Sequence, residues 1–324
     1  MRRLLALLVP VLLVPSATAQ VPSPALLVLD KQANTLEIVD PVARKVTSRL
    51  PTGEGPHEIT VSDDGKLAFV ANYGAREPGN SLSVIDLVAQ KELRRVDLGA
   101  LRRPHGIEFR GGKVYFTAEF AKVVARYDPA ADRVDWILGT GQNITHMLVL
   151  NQDANKIFTA NIGSDSVTAI EVAPTGWNET VIPVGKGPEG IDWSPDGSHV
   201  WTAHSRDGGI SIIDARSNKV IEMLDVHTRR SNRLKFTPDG KHVLVSDLDA
   251  GELVVLDAVS RKEIKRLKLG RTPSGILITP DGSTAYVAVS GDDKIAVVDL
   301  KTLEVTSSIF TGASPDGMAW VAGR

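Results

Sequence analysis

The sequence predicts an all-β chain, a seven-bladed β-propeller of four-stranded blades, and three observations carry that expectation. First, a short marker recurs seven times: Pro56-His57-Glu58-Ile59, Pro104-His105-Gly106-Ile107, Thr145-His146-Met147-Leu148, Pro188-Glu189-Gly190-Ile191, Ser231-Asn232-Arg233-Leu234, Pro273-Ser274-Gly275-Ile276 and Pro315-Asp316-Gly317-Met318. The steps between markers are 48, 41, 43, 43, 42 and 42 residues, the length of one four-stranded blade. Second, a tight turn follows most markers, at Asp63-Asp64-Gly65, Pro195-Asp196-Gly197, Pro238-Asp239-Gly240 and Pro280-Asp281-Gly282, with Gly111-Gly112 and Asp153-Ala154 as departures. Third, one strand remains after the last marker and three precede the first, and one plus three completes a blade.

Residues 187–214 show how each element arises. Alternation puts Ile191 and Trp193 on one face of an innermost strand, and Pro195-Asp196-Gly197 turns the chain into a second strand. In that turn Pro sets its own φ, Asp bonds the nearby backbone and Gly accepts a positive φ. A polar loop from His204 to Gly209 then leads to a third strand ending at Asp214. Every third strand ends on an acid (Asp40, Asp86, Asp128, Glu171, Asp214, Asp257 and Asp299), each expected to cap the turn after it. Trp193 and Trp320 stand where other repeats have Val61, Phe109, Leu150, Phe236 and Ile278, so they are expected to pack between blades. At the ends, residues 318–321 supply the last strand, and residues 26–29, 35–39 and 46–50 supply the first three.

Arg2 and Arg3, an apolar run over residues 4–14 and Ala17-Thr18-Ala19 make a secretory signal peptide the expectation for residues 1–19, with one propeller domain over 20–324. The run is too short to span a bilayer, and no later segment is long enough, so no membrane span is expected after cleavage. The 324 residues include no cysteine, which excludes disulfides and thiolate chemistry and fits a bacterial periplasmic or secreted protein. Without Arg2 and Arg3 the 39 acidic residues outnumber the basic ones, so the global charge carries no nucleic-acid footprint. A monomer is expected.

The chain resembles the YVTN family of seven-bladed β-propellers, of the YncE-like type. The resemblance rests on Ala68-Phe69-Val70-Ala71-Asn72, Ile157-Phe158-Thr159-Ala160-Asn161, Ser194-Pro195-Asp196-Gly197 and Ile295-Ala296-Val297-Val298-Asp299. It covers the chain beyond the leader and implies the propeller fold, a periplasmic setting and single-stranded DNA binding as one activity to weigh. Propellers host unrelated functions, so it implies no reaction.

In this connectivity the start of each innermost strand and the end of each second strand emerge on one face. An inner ring (His57, His105, His146, Glu189, Asn232, Ser274 and Asp316) and an outer ring (Asp30, Asn72, Glu119, Asn161, His204, Asp247 and Ser290) are therefore expected around the axis. His57, His105, His146 and Glu189 have the side chains of a divalent transition-metal site, with Glu119 or His204 as acid or base. A plainer reading is that polar residues stand there because strand starts are wet and cap loops. Arg102, Arg103, Arg229, Arg230 and Arg233 fall on the same face, with Lys186 and Arg271, as a binding rim for anions; Glu54, Glu77, Asp207 and Asp249 share the face and oppose that field. His199 and His242 are expected as exposed hairpin residues on the opposite face. No nucleophile elbow or phosphate-cradling glycine loop is present. Three functions follow: a scaffold binding a small anionic ligand or a protein partner, without a cofactor; a metal-dependent lyase or hydrolase; and single-stranded DNA binding.

Overall fold

Seven four-stranded antiparallel sheets follow one another through residues 23–322, the part of the chain that the computed structural model describes. The leader expected over residues 1–19 lies outside the described residues. Blades II to VII each use one continuous stretch; blade II, for example, runs through Pro56–Val61, Leu67–Gly74, Pro78–Asp86 and Lys91–Asp97 from the axis outward. Blade I is composite. Pro315–Val321 is its innermost strand, followed by Ala25–Asp30, Thr35–Asp40 and Lys45–Pro51. Ala25 pairs with Val321 and Leu27 with Ala319, so the seam expected from the leftover strands closes the ring.

Burial follows strand position. Ala25–Asp30 is buried at every residue, whereas the outermost strand Lys91–Asp97 alternates exposed and half-buried residues. Between blades the large repeat residue packs on the second strand of its neighbour: Phe69 stacks on Phe109 at 5.7 Å, and Trp193 meets Phe158 edge-on at 5.1 Å. Trp320 lies 6.1 Å from Tyr286 across the junction of blades VII and I. The tight turns form as expected: Gly65, Gly197, Gly240 and Gly282 take φ between +68° and +74°, and the Asp before each accepts a backbone N–H two residues on. Six of the seven strand-end acids cap their turns in the same way, as Asp40 does for the N–H groups of Val42 and Ala43. Glu171 departs from the rule, accepting from Lys156 and Asn218 instead. His199 and His242 are half-buried, not exposed, because each opens a second strand that is otherwise buried.

All seven markers share one irregularity. In every blade the pairing of innermost and second strand slips by one residue at the marker, as between Pro56 and Glu58 or Pro188 and Glu189-Gly190. Such a bulge leaves one residue unpaired and re-aims its side chain. Glycine follows the bulged residue where the next innermost strand comes closest: a Cβ on Gly106 would lie 2.8 Å from the backbone of His146, and one on Gly317 2.2 Å from that of His57.

An ion pair crosses the axis. Arg233 of blade VI, 5 % exposed, bonds Glu58 of blade II, as far around the seven-membered ring of innermost strands as the chain allows. Removing one partner leaves the other charge buried and uncompensated. Arg233→Met should cost about 3–5 kcal/mol, and Glu58→Gln/Arg233→Met should recover most of it; strictly additive losses in denaturant melts would contradict the pairing.

A like-charge pair sits at the seam. Asp30 is fully buried, and burial followed by repulsion from Glu37 pushes its pKa up to about 7. Unfolded, it releases its proton near pH 4; folded, only near 7. It therefore costs nothing below pH 4, destabilises progressively between 4 and 7, and costs on the order of a few kcal/mol above 7. Asp30→Asn should thus be more stable than the parent by a margin that grows from pH 4 to pH 8 in chemical denaturation; an equal margin at both pH values would refute this.

Candidate functional site

The bulged residues converge on the channel mouth. A cavity of about 440 Å³ opens there, and all seven inner-ring residues, His57, His105, His146, Glu189, Asn232, Ser274 and Asp316, line it. Around them, in blades I, II and VI, the residue that reaches the cavity lies one beyond the expected position. Asn72, His204, Asp247 and Asp30 pair with the first residue of each marker and are buried. Several of them clamp loops: Asn72 Oδ1 accepts from the N–H of Gly53 at 3.0 Å, and the Asp247 carboxylate accepts from the N–H groups of Arg229 and Arg230 at 2.7 and 3.0 Å. The next residue along reaches the cavity, as Lys31, Tyr73 and Leu248 do. In blades III and VII the register partners are Ala118 and Val289, so Glu119 and Ser290 already hold the later position. A one-residue shift in aligning the repeats would have found Lys31 and Leu248; Tyr73, with Phe120, is expected from the sequence at the rim as a stacking surface.

Two of these rings meet at blades III and IV. The imidazoles of His105 and His146 lie 3.7 Å apart between centroids, and His146 Nδ1 is 2.5 Å from Glu119 Oε1. Tyr73 donates its hydroxyl to Glu119 Oε2 at 2.6 Å, and the Arg103 guanidinium sits 4.4 Å over the Tyr73 ring. His105, Glu119 and His146 are buried, and one ligand atom from each lies within 4.8 Å of the others. Of the four residues expected at a metal, His105 and His146 join this cluster. His57 stands beside it, its ring 5.3 Å from that of His105 and its Nδ1 2.9 Å from the Gly55 carbonyl oxygen. Glu189 stands apart, accepting a bond from Asn232 Nδ2 at 2.5 Å. The carboxylate beside the histidines is Glu119.

His204 does not line the cavity. It is wholly buried, with Nδ1 3.0 Å from Asp207 Oδ1, and it packs so tightly under Gly185 that a Cβ there would lie 2.1 Å from the imidazole. Asp207 in turn accepts from the N–H groups of Lys186 and Gly209, so the pair anchors a loop.

Electrostatics sorts the rest. Burial pushes His57 down to about 4, partly offset by the Asp316 carboxylate, and burial holds His105 well below the usual histidine range. Both are neutral at pH 7, each with a lone pair free to accept a proton or bind a metal. Burial alone would raise Asp316, but the Lys31 ammonium at 3.1 Å and the Arg233 guanidinium hold it well below the carboxylate range. The arginines do not form one rim. Arg233 lies inside the channel, Arg230 lines the cavity and reaches Asp249 at 4.0 Å, Arg103 covers Tyr73 and Phe120, and Arg102 and Arg229 are exposed outside the lining. Arg206 and Arg271 are paired with Asp165 and Asp292.

A second cavity, of about 410 Å³, opens at the other end of the channel among Glu108, Asp192, Lys235, Met147 and Met318. Arg233 lines both. The Arg233–Glu58 pair thus divides the channel into two vestibules.

Solved propellers share this ring. The periplasmic gluconolactonase of Pseudomonas aeruginosa is similar at a TM-score of 0.76 and 18% identity, over 93% of this chain and 100% of that one. A protein from Lactobacillus plantarum is similar at 0.78 and 15%, over 92% and 99%, and the hydrazine synthase of Kuenenia stuttgartiensis at 0.70 and 20%, over 81% and 88%. At such identities the likeness is one of fold. No curated protein matches the chain significantly. The model of the YNCE-like beta-propeller family matches residues 137–322, more than half of the chain, and takes in five of the seven bulged markers, from Thr145 to the closing strand. The chain belongs to the YNCE-like β-propeller family.

Proposed function

We propose that the protein binds a small, hydroxylated anion of the sugar-acid kind in the cavity at the histidine-bearing mouth. The lining carries this reading. Among the described residues Leu248 is the sole aliphatic side chain in it; the others are hydroxyl, amide, imidazole and charged groups, with Tyr73 the one phenol. A volume of about 440 Å³ lies within the range of small-molecule sites, but those are mostly apolar, and this one is suited to a ligand that is itself polar. Arg230 supplies positive charge, while Ser274, Ser290, Asn232 and Glu189 offer partners to hydroxyls. Asn232 Oδ1 and Asp316 Oδ1 are buried acceptors without a donor, and a ligand hydroxyl would relieve that cost. The similarity in fold to a gluconolactonase supports a sugar acid as the first probe.

Gluconate and its lactone, titrated calorimetrically with glucose as the uncharged control, should bind at one site. Arg230→Ala and Asn232→Ala should each weaken gluconate about tenfold, the loss of one hydrogen bond to a charged or hydroxyl group. No heat with either probe would overturn the reading. Tight binding of a single-stranded oligonucleotide that fell steeply with salt would replace it with nucleic acid.

A further inference from the structure

We infer that His105, His146 and Glu119 form a divalent transition-metal site at the wall of this cavity. The inference goes beyond the ligand reading, since it rests on a different cluster and is read with the metal alone.

Three observations converge. Two imidazoles and a carboxylate offer ligand atoms within 4.8 Å of one another, a set that zinc accepts with its fourth position left to water or a ligand. His105 and His146 are 2 % and 8 % exposed, yet His105 Nδ1 has no hydrogen-bond partner. A buried polar nitrogen left unpaired is costly, and a cation supplies the missing partner. Finally, the carboxylate is itself held: Tyr73 bonds the oxygen of Glu119 that faces away from His146, the kind of outer contact that orients a ligand and tunes its basicity.

The contact between His146 Nδ1 and Glu119 Oε1, 2.5 Å, is a hydrogen bond and too short for two ligands of one ion. Donors at about 2.1 Å in a tetrahedron stand about 3.4 Å apart. Metal entry therefore displaces the shared proton and opens this contact by about 1 Å. The nearby cations do not forbid it, because Arg233 is held by Glu58 and Lys31 by Asp316. His57 and Glu189 keep their own partners and stay outside the set. A metal at this wall faces the cavity that the sugar acid would occupy, where it would act as a Lewis acid on a carbonyl or a bound water.

The test uses the untagged chain after dialysis against a chelator, titrated with Zn²⁺ in competition with a chromophoric chelator and, separately, with Co²⁺ followed by visible absorption. One equivalent of Zn²⁺ is expected, with the strong absorption of tetrahedral Co²⁺. His105→Ala and His146→Ala should each lose it, and Glu119→Gln should weaken it at least tenfold. His199→Ala, at the opposite end of its blade, should bind as the parent does. Circular dichroism and melting would confirm that each variant folds, and Glu119→Gln, isosteric with the parent, serves if the alanine variants do not. No saturable zinc in the parent, or one equivalent retained by folded His105→Ala/His146→Ala, would overturn the site. Gluconate binding in either case is a separate result.

Discussion

Seven strands cannot start side by side around a narrow axis without crowding, and most of what distinguishes this molecule follows from how that crowding is relieved. The innermost strands approach so closely that Gly106, Gly190, Gly275 and Gly317 have a neighbouring backbone where a Cβ would stand. One residue before each lies a bulge, which lifts a side chain out of the ladder and toward the axis. The same local irregularity that lets the ring close therefore also furnishes the cavity. Functional groups at these positions come without a separate scaffold.

Charge at the axis is arranged in pairs that hold each other in place. Lys31 keeps Asp316 ionised, Glu58 keeps Arg233 compensated, and Tyr73 shares Glu119 with His146. Burial acts in the opposite direction on the lone imidazoles, leaving His57 and His105 neutral. The result is a mouth with fixed charges on one side and neutral nitrogen donors on the other.

The fold was legible because its signals are local and repeated. The Asp-Gly turns, the strand-end acids and the leftover strands each report a geometry that a short stretch of chain imposes on itself. The inner ring was equally legible, since it sits at a fixed offset from a marker proline, serine or threonine. The outer ring was not, because a bulge of one residue shifts the register and the repeats look alike on either side of it. That shift turned Lys31 and Leu248 into omissions and made His204, a loop anchor against Asp207, look equivalent to Glu119. Nor could spacing reveal that Arg233 would spend its charge on Glu58, 175 residues away, when Arg230 three residues earlier reaches the mouth.

The partition of the channel has a consequence for traffic. A ligand passing between the histidine-bearing vestibule and the far one has to part the Arg233–Glu58 ion pair, which lies where the two cavities adjoin. The two ends are separate rooms sharing a wall. Residues such as Met147, Met318 and Lys235 can change on the far side without altering who visits the near one.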